Sequence, residues 1–170
     1  MLGKLVAALI ANFPLTFLVF GLLVAAVAIA RLPRPRDGAA IVDRLLAWYV
    51  FFAIGVTNAV NFVFHVFFGE MTARFIGWAD SPFQLEVGMA SLGFALVAFV
   101  AAFRSFDLRL AAVLGPSAFL LGAAGGHIYQ MIAARNFAPG NAGVVFWMDI
   151  AVPLIGFTLL AMQHRLSPTR

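Results

Sequence analysis

Four ionisable residues sit inside or at the lip of long apolar stretches: His65, Glu86, His127 and Asp149. Ionisable groups at membrane depth are costly and are kept for a function. Two imidazoles with one or two carboxylates match a non-haem site for a divalent transition metal: zinc, iron, manganese or copper. Such a site would serve redox or hydrolytic chemistry. Two histidines on separate helices could also take a haem b axially, the weaker fit. The same set could instead relay protons or bind a polar solute for transport. It could equally be a buried network that fixes helix packing in an accessory subunit of a larger membrane complex. Asp149 is the strongest signal, because a lone buried carboxylate needs a partner. Glu86 is the most ambiguous, since it lies in the second turn of a helix, where the dipole favours an anion.

Several polar residues would support the four or contact a substrate. Asn58, Asn61 and His65 recur at i, i+3, i+7, one helical stripe that should face the bundle. Glu70, Gln84, Gln130 and Asn141 complete the set of candidates. Each has a plainer reading. Glu70 and Arg74 can pair at i, i+4 on the surface. Ser81-Pro82-Phe83-Gln84 reads as a helix start, with Ser81 at the N-cap and Gln84 at the reciprocal capping position. Asn136 and Asn141, around Pro139 and Gly140, read as turn residues. His164, at the far end, is unrelated to the set.

The elements that must position these residues follow from composition. The chain has 170 residues, 64% hydrophobic and 11% charged, with a mean hydropathy of +1.01. A soluble domain is nearer half apolar and one quarter charged, so the excess must face lipid. With no cysteine, thiolate metal sites, iron–sulfur clusters and disulfides are excluded. The net charge of +4 comes from arginines at segment ends. That indicates membrane orientation, and the sequence carries no nucleic-acid-binding motif.

About 20 residues cross the hydrocarbon core as a helix. Five spans are expected, at about 5–30, 45–69, 82–103, 110–134 and 144–163, in one transmembrane domain covering 1–170. The first is too long for a signal-peptide core and is expected to stay as a helix. Eight Lys and Arg fall on one side: Arg31, Arg34, Arg36, Arg44, Arg104, Arg109, Arg165 and Arg170. Lys4, Arg74 and Arg135 fall on the other. The positive-inside rule then places the N-terminus outside and the C-terminus in the cytoplasm, in a bacterial inner membrane. Trp78 and Trp147 would form the outer aromatic belt, Trp48 and Tyr49 the inner one. Ala118, Gly122 and Gly126 form a small-residue ridge that would let helices approach. The fold expected is therefore an all-α bundle of five transmembrane helices in a lipid bilayer, alone, as a homo-oligomer or within a larger complex.

Depth brings the four ionisable residues together. His65 lies 21 residues past Arg44, Glu86 18 before Arg104, His127 18 past Arg109 and Asp149 16 before Arg165. At 1.5 Å per residue these are about 24–31 Å, one slab in the outer leaflet.

The motifs carry a resemblance. Ile76-Gly77-Trp78-x-x-Ser81-Pro82-Phe83-Gln84-x-Glu86-x-Gly88 is followed by Gly126-His127-Ile128, then Asn136-x-x-Pro139-Gly140-Asn141-x-Gly143 and Asp149-x-x-x-Pro153. From about residue 50 to 160 the chain resembles a family of small multi-span prokaryotic membrane proteins of unknown function. The Ser-Pro-Phe-Gln-x-Glu piece is fairly specific. The resemblance implies the architecture and brings no activity with it.

Overall fold

A computed structural model describes residues 1–166, so Arg170 lies outside the described residues. Apolar runs without charge form helices because lipid leaves the backbone no partner but itself. In chain order these are α1 (Leu2–Ala11), α2 (Phe13–Ala30), α3 (Gly38–Tyr49), a π-helical segment (Val50–Val56), α4 (Thr57–Phe67) and α5 (Gly69–Ile76). They are followed by α6 (Phe83–Ala101), α7 (Phe106–Ala133), α8 (Pro139–Ala142) and α9 (Val144–Leu166). Five helices are long and apolar enough to cross a membrane: Phe13–Ala30, Gly38–Phe67, Phe83–Ala101, Phe106–Ala133 and Pro139–Leu166. This is the build of a multi-pass membrane protein. Large side chains such as Val97, Leu114 and Leu154 are exposed on its outer faces, where lipid would cover them.

The first span differs from expectation. It divides at Asn12, whose φ of −117° and ψ of 33° are not helical. Pro14, in the first turn of α2, lacks an N–H and its ring crowds the carbonyl four residues back. Side chains tie the break together: Thr16 Oγ1 donates to the Leu9 carbonyl at 3.0 Å, and Asn12 Nδ2 adds a second bond to the Ala8 carbonyl at 2.8 Å. No residue of α1 is buried. The second span begins seven residues earlier than the apolar run, at Gly38, because Asp43 and Arg44 continue the helix instead of ending it.

The core lies towards the arginine-rich end and the middle of the bundle. Leu46, Tyr49, Val50, Ile54, Val113, Val152 and Leu160 are buried there against one another. Tyr49 is 1% exposed and its hydroxyl donates to the Val152 carbonyl. It is thus a core residue, not part of an interfacial belt. Pro153 follows and frees the Asp149 carbonyl from its helical partner. The ridge of Ala118, Gly122 and Gly126 also departs from expectation. Ala118 and Gly122 face outward, and a Cβ at Gly122 would meet nothing within 4 Å.

Two features aim the histidine-bearing end. The π segment widens the second span, and each extra residue in a helical turn rotates the following stripe by about 100°. This turns Asn58, Asn61 and His65 inward. On the facing helix Gly88 lets α4 and α6 close up. A Cβ there would come 2.5 Å from Val66 Cγ2 and 3.3 Å from His65 Cβ.

Candidate functional site

A cavity of about 570 Å³ occupies the histidine-bearing half of the bundle. Its walls are mostly apolar, with Ala53, Phe64, Phe119, Leu120, Ala123 and Val152 among them. Its polar groups include Asn58, Asn61 and His65 on α4, Thr72 on α5, Ser81 just before α6, Gln84 on α6, His127 on α7 and Asp149 on α9. Ile10 of α1, Met71 and Phe75 of α5, Trp78 and Phe83 also line it and are themselves exposed. The rim is therefore apolar. At the closed end stands the core around Val152 and Ala53.

His127 and Asp149 meet in this wall, each 6% exposed, with Nε2 to Oδ2 at 3.4 Å. Asn141 orients the ring. This residue is fully buried on α8, and its Nδ2 donates to the carbonyls of His127 at 3.2 Å and Asn136 at 2.9 Å. Carbonyls only accept, so the amide's two ends are assigned. Asn141 Oδ1 then accepts from Trp78 Nε1 at 2.9 Å. It stands 2.8 Å from His127 Nδ1, and an amide oxygen cannot donate, so Nδ1 carries the hydrogen. The Nε2 of a neutral ring is thereby left as a lone pair turned to Asp149. A single proton between Nε2 and the carboxyl satisfies both. The 3.4 Å separation is longer than a direct hydrogen bond and leaves room for the pair to tighten. Trp78 and Phe146 flank the imidazole, with ring centroids at 5.4 Å and 6.4 Å.

The loop that holds Asn141 is itself tied down. Asn136 Nδ2 donates to the carbonyls of Ile76 and Gly77, and its Oδ1 accepts from the Ala138 amide. Gly77 has φ of 75°, and a Cβ there would meet Asn136 Oδ1 at 2.7 Å. The two asparagines expected to shape a turn are therefore the brackets that join α5, α7 and α8 around His127. Both motifs were visible as Asn-x-x-Pro-Gly-Asn and Gly-Trp. Their pairing was not, because it spans about sixty residues of chain.

His65 takes a different partner. Its Nδ1 is 2.5 Å from Gln84 Oε1. Gln84 was expected to cap the start of α6, but that helix has no side-chain cap hydrogen bond, and its carboxamide serves His65 instead. Asn58 Nδ2 donates to the Ile54 carbonyl and Asn61 Nδ2 to Ser91 Oγ, both at 2.9 Å. Ser91, fully buried, was missed; it is a lone hydroxyl in an apolar helix.

Three candidates fall elsewhere. Glu86 is exposed and points away from the cavity, as its position one turn into α6 allows. Glu70 pairs with Arg74 at 2.6 Å on the surface. Gln130 does not line the cavity. The four proposed ligands are thus not gathered into one group. Among the described residues no group of three or more His, Cys, Asp or Glu is placed to hold a metal ion.

The chain belongs to DUF6790, a family of unknown function that matches residues 11–169. No curated protein and no solved structure matches the chain.

Proposed function

We propose that this protein takes a small amphiphile from the outer leaflet into its polar-ended cavity and moves a proton on it through His127 and Asp149. The observation that carries the reading is the oriented pair itself. A buried imidazole with its Nδ1 hydrogen committed to Asn141 faces a buried carboxyl in the wall of a cavity of ligand size. General acid–base work needs a positioned imidazole within reach of a reacting group, and a carboxylate that stabilises its charged form. The arginine count supports placing this end outside. Transport through the bundle is less well supported, because Tyr49, Val50, Ile54 and Val113 pack below the cavity. A purely structural role would have the polar groups satisfy only each other, whereas several face the cavity with an atom to spare.

Organic extraction and mass spectrometry of gently purified protein test the reading. One amphiphile should be enriched over the surrounding lipid and lost in Ala123→Phe, which fills the cavity. Identical lipid profiles for the two proteins would overturn it.

A further inference from the structure

The polar atoms left over in the cavity are mostly acceptors. Asn58 Nδ2 is committed to a carbonyl, so its Oδ1 is the free end. Asn61 Nδ2 is 2.9 Å from Ser91 Oγ. Ser91 gives its only proton to the Val87 carbonyl and can only accept from Asn61, so the Asn61 Oδ1 is free as well. The hydroxyl protons of Thr57 and Thr72 go to main-chain carbonyls. Asp149 keeps Oδ1 without a protein partner. Among the described residues, the one buried side-chain polar atom lacking a partner and closed to any probe is Gln163 Oε1, at the opposite end. The free oxygens of Asn58, Asn61 and Asp149 are therefore reachable. Against these acceptors stand few donors, Gln84 Nε2 and the Ser81 hydroxyl. No Lys or Arg lines the cavity among the described residues.

We infer that the cavity selects an amphiphile whose polar end donates hydrogen bonds, a hydroxyl or an amine, and rejects one ending in a phosphate or carboxylate. The inference rests on the reading that the cavity binds an amphiphile. An anionic head would meet acceptors and the Asp149 carboxyl with no cation to offset them, and buried polar groups left unpaired cost more than pairs gain. A donor head reverses each term. Its hydrogens satisfy the Asn58 and Asn61 oxygens. It can also sit beside His127 Nε2 and Asp149 Oδ2, which stand 3.4 Å apart and lie within reach of one donor atom. His127 Nε2 then accepts the hydrogen of the bound hydroxyl or amine, and full transfer would break that O–H or N–H bond, leave its electron pair on the oxygen or nitrogen, and form an imidazolium beside the Asp149 carboxylate.

Alkyl diazirine probes of one chain length, ending in alcohol, amine, carboxylate or phosphate, test this on protein reconstituted in nanodiscs. Cross-linked peptides are read by mass spectrometry. The alcohol and amine should label cavity residues about tenfold more than the two anions, which corresponds to 1.4 kcal/mol. Asn58→Leu combined with Asn61→Leu should shrink that preference to about twofold while labelling persists. Asp149→Asn should lower the amine and spare the alcohol, which tells the two donor classes apart. Equal or stronger labelling by an anionic probe overturns the inference and leaves the binding reading intact. Absence of cavity labelling by every probe overturns the reading itself. If the double variant does not fold, the four probes on the unaltered protein decide alone.

Discussion

The two ends of the bundle both bury polar side chains and do opposite things with them. At the arginine-rich end Arg109, 3% exposed, donates through NH1 to Asp43 Oδ1 at 2.8 Å and through Nε to the Ala102 carbonyl at 3.0 Å. A recess of about 420 Å³ opens beside it, lined by charges of both signs, Asp37, Asp43, Arg104 and Asp107 among them. Donors and acceptors there can neutralise one another, and the ion pair ties α3 to α7. At the histidine end the neighbouring groups are matched only in part. Asn141 is fully committed, Asp149 and the Asn58–Asn61 pair are not. Polar groups that consume each other hold helices together; polar groups left with mostly acceptor atoms unused can be complemented from outside.

The contrast can be broken at its strongest point first. Asn141→Leu strands His127 Nδ1, Trp78 Nε1 and the Asn136 carbonyl together, and should cost about 4 kcal/mol by thermal unfolding in detergent. Nitrogen NMR should then show His127 as a tautomer mixture. An unchanged Nδ1–H signal would mean that Asn141 does not orient the ring. Arg109→Met follows, at about 2 kcal/mol, since it removes the closer of two cations from the half-exposed Asp43, which keeps Arg44 at 3.8 Å, and strands the Ala102 carbonyl. Amphiphile retention should be unaffected, because the loss is purely structural. A matching loss of ligand would show that the two ends are coupled. Asp149→Asn should move stability by less than about 1 kcal/mol, since the carboxamide can supply the bridging hydrogen to Nε2. The same change should abolish chemistry on the retained molecule. A large loss of stability would show a pair built for folding. Glu86→Gln should be smallest of all, within about 0.5 kcal/mol, with normal retention. An effect on ligand would return Glu86 to the site.

The spans were legible because apolar length alone sets them, and helix existence is insensitive to neighbours. Boundaries were less so: Gly38–Arg44 is helical despite its charges, and the run from Leu5 to Ala30 hides the break at Asn12. The His127–Asp149 meeting could be read from depth, since two residues at one level on adjacent helices have few places to go. Facing was harder. Depth says nothing of azimuth, so Glu86 shared the level of the others and still points outward. The π segment, which turns Asn58 and His65 inward, carries no sequence signal of the kind that proline or glycine gives a turn. Gln84 shows the limit from another side. Its position matched a capping pattern, and a tertiary partner nineteen residues away took the side chain instead.

The apolar, exposed rim formed by Ile10, Met71 and Phe83 has a thermodynamic consequence. A molecule entering past it would leave hydrocarbon, not water, and its tail would trade one oily contact for another. The hydrophobic effect would then add almost nothing to binding. Occupancy would depend on mole fraction in the bilayer rather than on aqueous concentration, and discrimination would fall almost wholly to the few atoms that meet the head.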